Sequence, residues 1–457
     1  MPHIHLIGIG GAGLSAIATV LLQQGYQISG SDVQPSATTE RLVKMGATVQ
    51  IGQHADNLAD KLDGVIVSSA IGPDNPELQA ARRRGLPVAK RDEWLGKMMQ
   101  HRVGIAIAGT HGKTTTTAMT AFTLQRAGQQ PTFIVGGFVP QMNTNAAAGS
   151  GPAFVIEADE YDHMFLGLRP TVAVITVVEW DHPDIYPNFD DLQQAFITFV
   201  QRVPPAGLVI GCGDAPGVEP VIRQSQAQVT TYGLGPHNRW RAVDLTPNRR
   251  GGYDFKVLAP HGGAEPVAKL SLAVPGEHNV ANALAVLVIA HRQGVQLPQA
   301  AAILSQFMGV GRRFELKGEA NGVTIIDDYA HHPTEIKATL AAARTRFEGR
   351  PIWAMLQPHT FSRTHLLLDA FAAAFADADH VIVVDIYPSR ERDEGLVSSQ
   401  DIVERMNHPD ARYIGPLAEA TDYLADHLAA PAVLLTLGAG DGYQVGEWLL
   451  TKLEGKE

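Results

Sequence analysis

The chain has 457 residues, 45% hydrophobic and 18% charged, a composition that fits folded globular protein and argues against a disordered one. Lys plus Arg number 36 against 47 Asp plus Glu, giving a net charge of -11. That sign argues against non-specific nucleic-acid binding, but not against phosphate ligands held by backbone N–H groups. Cys212 is the one cysteine, so an internal disulfide and a multi-cysteine metal site are both excluded. A buried thiol is expected.

The length calls for roughly two to four domains. Met1-Pro2-His3 leads into the apolar run Ile4 to Ile9 without a basic stretch or cleavage pattern. No apolar run, Ala283 to Ala290 included, approaches the roughly 20 residues of a spanning helix. A cytoplasmic protein is expected, with no membrane or nucleic-acid partner.

In chain order, Ile4 to Gly8 reads as a strand, followed by glycines and a helix from Leu14 to Gln24. Strands at Tyr26 to Ser29 and Val65 to Ser68 follow. Strands alternating with helices imply a parallel sheet covered on both faces. A second segment opens with the buried strand Val103 to Ala108 and the helix Thr114 to Arg126. Its further strands are Ala153 to Ile156, Val172 to Val178 and Leu208 to Ile210. Thr230 to Leu272 reads as a small antiparallel insertion, and Asn282 to His291 returns to helix. A third segment carries strands at Val323 to Ile326, Ile352 to Leu356, Val381 to Val384 and Ala432 to Leu437. Boundaries fall near Gln100 and Gly309. The fold class expected is α/β.

Gly8-Ile9-Gly10-Gly11-Ala12-Gly13 matches G-x-G-x-x-G between strand and helix. Small residues let backbone approach a diphosphate, and the helix N-terminus faces its charge. Asp32, 22 residues after Gly10, stands where a ribose-binding acid stands in dinucleotide sites. The motif alone leaves NAD and other diphosphates open. Gly109-Thr110-His111-Gly112-Lys113-Thr114-Thr115 is a phosphate loop two residues shorter than the usual P-loop. Lys113 would neutralise phosphate charge, and the hydroxyl of Thr114 or Thr115 would reach Mg²⁺.

Two acidic runs, Glu157-Ala158-Asp159-Glu160-Tyr161-Asp162 and Glu179-Trp180-Asp181-His182, follow strands. Ligands of parallel sheets bind at the carboxyl ends of strands, so both runs belong at the edge that carries the phosphate loop. Their oxygens and imidazole suit Mg²⁺ bridging phosphates. Gly276 to Asn282 precedes a helix, and Asn279 has an amide fit to read a base edge or to cap the helix. Arg312-Arg313-Phe314, Asp327 to Pro333 and Pro358 to Thr364 gather arginines and histidines suited to a carboxylate or a developing phosphate charge.

This set of motifs resembles the Mur ligases, ATP-dependent amide-forming enzymes of peptidoglycan synthesis, along the whole chain. Ser29 to Asp32, Ser68-Ser69-Ala70-Ile71, Asn75-Pro76-Glu77, Ala106 to Met119, Asp385-Ile386-Tyr387 and Gly438 to Asp441 carry it further. The resemblance implies three domains. These are a Rossmann-like UDP-binding domain over 1–100, a central P-loop ATP-binding domain over 101–309 and a C-terminal Rossmann-like amino-acid domain over 310–457. It implies UDP-N-acetylmuramate and L-alanine as substrates, ATP and Mg²⁺ as cofactors, and a monomer or homodimer.

Residue by residue, Gly10, Gly11, Ala12, Gly13, Asp32, Ser68 and Ser69 would bind the UDP-sugar. Gly109 to Thr115 would hold the ATP phosphates, with Lys113 touching them. Thr114 and Glu157 would hold Mg²⁺, His182 would support a second Mg²⁺, and His278, Asn279 and Asn282 match the adenine-side motif. Arg312 would bridge toward the γ-phosphate, and Arg363 would pair with the alanine carboxylate. His332 would take the amine proton.

The sequence departs from the family pattern at Tyr161, Val178, Trp180 and Thr360. These positions leave a murein tripeptide open as the incoming amine. An NAD-dependent oxidoreductase built on Gly8 to Gly13 would leave Gly109 to Thr115 and both acidic runs unused. A nucleotide-switch protein would leave Asp327 to Pro333 without a role.

Overall fold

The computed structural model describes residues 1–455. It is a three-domain α/β fold built on parallel sheets. The chain divides into two compact units: Met1–Glu179 with Asp190–Trp240 and Ala285–Ile303, and Trp180–Phe189 with Arg241–Leu284 and Leu304–Glu457.

The first unit begins with a five-stranded sheet in the order Thr48–Ile51, Gln27–Asp32, His3–Ile7, Gly64–Val67, Val88–Lys90. Every neighbouring pair is parallel, with Ile7 in register with both Ser31 and Val67. The strand order reverses beside His3–Ile7, which opens a crevice at its carboxyl end. The Gly8–Gly13 turn lies there. Ile7, Val65, Val67, Leu78 and Ala81 form the core beneath it. Each fully buried aliphatic side chain of this kind contributes about 1.5–3 kcal/mol.

The same unit holds seven strands of a second sheet: Gln228–Gly233, Leu208–Cys212, Val172–Ile175, Val103–Ala108, Ala153–Glu157, Thr132–Val139 and Thr144–Ala147. The last pair is antiparallel and the rest are parallel. Helix Ala12–Gln23 packs on Thr132–Val139 and Thr144–Ala147, and Ala148 donates its N–H to Gln23 Oε1 at 2.7 Å. Cys212 is free and buried, and burial pushes its thiol up to about 11.

The second unit holds an antiparallel ribbon, Tyr253–Leu258 pairing with both Trp240–Pro247 and Ala268–Ser271. The antiparallel part is shorter than the Thr230 to Leu272 expected from sequence, because Gln228–Gly233 pairs parallel to Leu208–Cys212. A third sheet follows in the order Glu315–Ala320, Val323–Asp328, Ala432–Leu437, Ile352–Leu356, His380–Val383, Ala411–Tyr413. Only Glu315–Ala320 runs antiparallel in it. Ile336, Leu340, Phe371 and Phe375 pack within one core cluster of this unit, Leu424, Val445 and Leu449 within another.

The expected strand Val172 to Val178 stops at Ile175. Beyond it the Val177 carbonyl accepts the Thr110 N–H at 2.8 Å, so this backbone supports the phosphate loop instead of extending the sheet.

Candidate active site

Val103–Ala108 ends in Gly109, whose φ of +132° favours glycine. A Cβ there would lie 2.0 Å from Thr176 Oγ1. Gly112, at φ +81°, turns the chain into helix Lys113–Arg126. The first N–H groups of such a helix have no intrahelical acceptor and face an anion. Thr110 Oγ1 lies 2.9 Å from the Glu179 carbonyl, and His111 Nε2 lies 3.1 Å from Glu179 Oε2.

Lys113 Nζ donates to the carbonyls of Gly109 at 2.7 Å and Thr110 at 3.2 Å, and to both carboxylate oxygens of Glu160 at 2.9 and 2.8 Å. Burial opposes the lysine charge, but Glu160 first, then Asp159 and Glu157, raise its pKa above the ordinary value. Lys113 is therefore a fixed cation. Thr114 Oγ1 donates to Glu157 Oε1 at 2.8 Å, and Glu157 Oε2 accepts the Gly136 N–H at 2.8 Å. Gly136 is required there, since a Cβ would lie 2.4 Å from Glu157 Oε2. A hydroxyl and a carboxylate side by side are hard oxygen donors, the chemistry that Mg²⁺ takes.

In the Gly8–Gly13 turn, Asp32 Oδ2 accepts the Gly10 N–H at 2.8 Å and Oδ1 accepts the Val33 N–H at 2.8 Å. Asp32 therefore braces the turn, a role the ribose-acid reading did not include. Gly11 precedes helix Ala12–Gln23 and Ser69 is exposed. Ser68 lies under Gly8, where a Cβ would be 3.2 Å from its own Cβ. Behind the turn, buried Glu77 accepts Ser31 Oγ at 2.7 Å and the His54 N–H at 3.2 Å, with His5 Nε2 at 3.1 Å.

The second unit gathers another cluster. Arg363, 5% exposed, donates from Nε to Asp181 Oδ1 at 2.9 Å, and its Nη1 lies 3.2 Å from His359 Nδ1. The acid that braces Arg363 is thus Asp181, whereas Asp369 pairs with Arg405 at 2.7 Å. Burial works against the Asp181 charge, but Arg363 foremost, then His182 and His331, hold its carboxyl well below the usual range. His182, at φ +56°, folds beside Asp181, its Nε2 3.7 Å from Asp181 Oδ2. Burial pushes His331 down to about 3 and His359 down to about 4, so both are neutral at pH 7. His331 Nδ1 lies 2.9 Å from the Tyr329 carbonyl and donates to it, which leaves Nε2 as an acceptor. His332 is buried at the N-terminus of helix Pro333–Arg346, where its Nδ1 accepts the Thr334 N–H at 3.3 Å.

Thr360 has φ +67°, a strained backbone for a β-branched residue. It is held there by its N–H to the Tyr387 carbonyl at 2.9 Å. Arg312 donates from Nε to Asp327 at 3.1 Å and from Nη2 to the Gly438 carbonyl at 2.8 Å. Its guanidinium lies 5.0 Å from the Tyr329 ring centre and 4.9 Å from that of Tyr443. At the start of helix Glu277–Arg292, Asn279 Nδ2 donates to the Pro275 carbonyl at 2.7 Å, and Asn279 Oδ1 accepts Asn282 Nδ2 at 3.1 Å. Burial lowers His278 to about 4.

The geometry therefore brings Lys113, Thr114 and Glu157 together in the first unit. Arg312, Arg363, His182, His332 and His278 to Asn282 lie in the second unit. Sequence reasoning missed the roles of Glu160 and Asp159 beside Lys113 and the pairing of Asp181 with Arg363. Glu160 stood in the acidic run, but its partner lies 47 residues away and no local spacing marks it.

Three family models match in succession: "Mur ligase family, catalytic domain" over residues 3–103, "Mur ligase middle domain" over 107–290 and "Mur ligase, glutamate ligase domain" over 312–440. The chain belongs to the Mur ligase family. Among its relatives, it is 43% identical to a UDP-N-acetylmuramate–L-alanine ligase of Frankia casuarinae, over 99% of this chain and 97% of that one. It is 44% identical to the enzyme of the same name from a Roseiflexus species, over 99% of each. Among solved structures, it superposes on a UDP-N-acetylmuramate–alanine ligase from Thermotoga maritima with a TM-score of 0.82 at 29% identity, over 100% of both chains. A murein peptide ligase from Psychrobacter arcticus is similar at a TM-score of 0.72 and 26% identity, over 99% of each.

Proposed function

We propose that this chain is an ATP-dependent ligase that joins L-alanine to UDP-N-acetylmuramate in peptidoglycan precursor synthesis. The observation that carries the chemistry is the glycine turn with Lys113 at its helix start and Thr114 hydrogen-bonded to Glu157 at the carboxyl edge of the sheet. Whole-length similarity to ligases of that name selects the substrates. Domains run over 1–100 for the UDP-sugar, 101–309 for ATP and 310–457 for the amino acid. The enzyme works in the cytoplasm as a monomer or homodimer. Among the described residues no helix is long and apolar enough to cross a membrane.

The lactyl carboxylate of the sugar attacks the γ-phosphate of ATP to give an acyl phosphate, and the amine of L-alanine then displaces phosphate. Lys113 spreads charge on the transferring group, and the Gly109 to Thr115 backbone orients it. Thr114 and Glu157 would hold Mg²⁺, which when bound neutralises phosphate charge, and His182 would support a second Mg²⁺. Gly10 to Gly13, Ser68 and Ser69 receive the UDP-sugar while Asp32 holds the turn. His278, Asn279 and Asn282 serve the adenine side, and Arg312 serves the γ-phosphate. Arg363, pre-set by Asp181, takes the alanine carboxylate. For the amine proton the acceptor is His331, which burial keeps neutral with its proton on Nδ1 and its lone pair on Nε2; His332, expected from the sequence, accepts the Thr334 N–H at Nδ1 and so carries its own proton on Nε2.

The test uses UDP-N-acetylmuramate labelled with ¹⁸O in the lactyl carboxylate. One label should appear in the released phosphate, one phosphate and one ADP per amide formed. Unlabelled phosphate, with the expelled label found in water, would exclude the acyl phosphate, and ADP release without the sugar would exclude the ligase reading.

A further inference from the structure

Resting on the reading that the Gly8–Gly13 turn receives the UDP diphosphate, we propose that Arg91 is the cation of that turn. It contacts the diphosphate there and is tied through Asp159 to the acidic loop of the phosphate-transfer site. Val88–Lys90 pairs with Gly64–Val67, which in turn neighbours His3–Ile7. Arg91 is the first residue of the helix Arg91–Met98 that follows, so it starts from the same carboxyl edge of the sheet as the glycine turn.

Its side chain reaches back over Gly13. A Cβ on Gly13 would lie 2.0 Å from Arg91 Nη1 and 2.9 Å from Cζ. The three atoms nearest to that position all belong to Arg91. A side chain at the last glycine of the motif would therefore displace the guanidinium that rests on the first turn of helix Ala12–Gln23. The N–H groups of that turn have no intrahelical acceptors. A cation placed beside them adds its charge to the same anion site.

The other side of Arg91 meets the acidic loop. Asp159 Oδ2 lies 3.9 Å from Nη2, and Met164 also touches the guanidinium. Helix Arg91–Met98 packs on the segment Tyr161–Gly167 so closely that a Cβ on Gly96 would lie 2.3 Å from the Gly167 carbonyl. Arg91 Nε is buried without a hydrogen-bond partner, so the guanidinium is not saturated by the fold. Arginine stays charged at every working pH. One short loop thus serves both glycine turns: Asp159 faces Arg91 of the first, and Glu160 holds Lys113 of the second.

Binding of UDP-N-acetylmuramate is measured by calorimetry on the full-length wild type, Arg91→Ala, Arg91→Lys, Gly13→Ala and the Arg91→Ala/Gly13→Ala double variant, with melting curves and ATP-analogue affinity alongside. Arg91→Ala should weaken UDP-sugar binding about 10-fold or more, as loss of a charge-assisted contact does. Arg91→Lys should fall between. Gly13→Ala should be as damaging alone, but add little once Arg91→Ala has cleared the space. ATP-analogue affinity should change less than UDP-sugar affinity.

UDP-sugar affinity in Arg91→Ala within about twofold of wild type would overturn the inference and leave the ligase reading intact. Equal loss for both ligands with a lowered melting temperature would also overturn it, reducing Arg91 to a brace. If Arg91→Ala does not fold, Arg91→Lys and Arg91→Gln carry the same comparison. A wild type that does not bind UDP-N-acetylmuramate at all would take the ligase reading down together with this one.

Discussion

The two glycine turns of the first unit share one plan and differ in where their cation comes from. Both follow a central parallel strand, both open a helix, and both let backbone N–H groups face an anion. In Gly109–Gly112 the cation, Lys113, is the next residue in sequence, held by four acceptor contacts that include both Glu160 oxygens. In Gly8–Gly13 the cation, Arg91, arrives from a helix 78 residues further along the chain and faces Asp159 only at 3.9 Å. On the proposed function, a cation written into the motif and held by four acceptors suits the transfer of a phosphoryl group. One supplied by packing suits a diphosphate that is bound and released unchanged.

The comparison breaks first at Lys113. Lys113→Ala should lower the turnover rate about 10²–10³-fold, as removal of a positioned electrostatic group does, with the fold retained. Near-normal turnover in a folded variant would make the two turns equivalent and remove the transfer step from the second. Single-turnover rates with a melting curve check this.

Next comes Glu157. Glu157→Ala should raise the Mg²⁺ concentration for half-maximal activity, because a hard cation has lost an anionic oxygen. His182→Ala should act in the same direction but less. Magnesium titration at fixed ATP reads both, and an unchanged curve in Glu157→Ala would leave the Thr114 to Glu157 pair a structural contact.

Arg363 extends the comparison to the second unit, where a third cation is set by a buried acid. Arg363→Ala should raise the KM for L-alanine about 10-fold or more, the cost of one charge-assisted contact, and leave those for ATP and UDP-sugar closer to wild type. A fall in stability with all three KM values unchanged would make the Asp181 to Arg363 pair a brace.

The smallest effect is one of pH. Burial holds His331 at about 3 and His278 and His359 at about 4, below the ~6.5 of an unfolded imidazole. The native state then binds fewer protons than the unfolded chain, so stability is full above about pH 6.5 and falls as pH drops toward 4. Asp328, raised to about 6 by burial, and Asp327, also raised by burial, act in the opposite sense, but two carboxyls stand against three histidines. The melting temperature should fall between pH 7 and pH 5, and His331→Asn should reduce the slope. A pH-independent melting temperature in wild type would contradict the buried neutral histidines.

Much of this was legible in the sequence, and the limit was distance along the chain. Val103–Ala108, Ile352–Leu356 and Ala432–Leu437 stood out because both faces are buried and the runs are continuously apolar. Thr48–Ile51, Glu315–Ala320 and Ala411–Tyr413 did not, because edge strands bury one face at most and carry polar residues. Thr132–Val139 hid behind Gly136-Gly137, which reads as a turn until Glu157 is seen to need that space. In the site, the contiguous motif Gly109 to Thr115 showed its own lysine. Arg91 over Gly13 and Asp181 beside Arg363, 182 residues apart, needed the fold.

The identity of the incoming amine tests the account most directly. Purified protein with ATP, Mg²⁺ and UDP-N-acetylmuramate is given L-alanine or the murein tripeptide in parallel, and product mass and kcat/KM are measured for each. The account predicts UDP-N-acetylmuramoyl-L-alanine as the product and a kcat/KM for L-alanine far above that for the tripeptide. Efficient tripeptide addition with L-alanine left unused would contradict it.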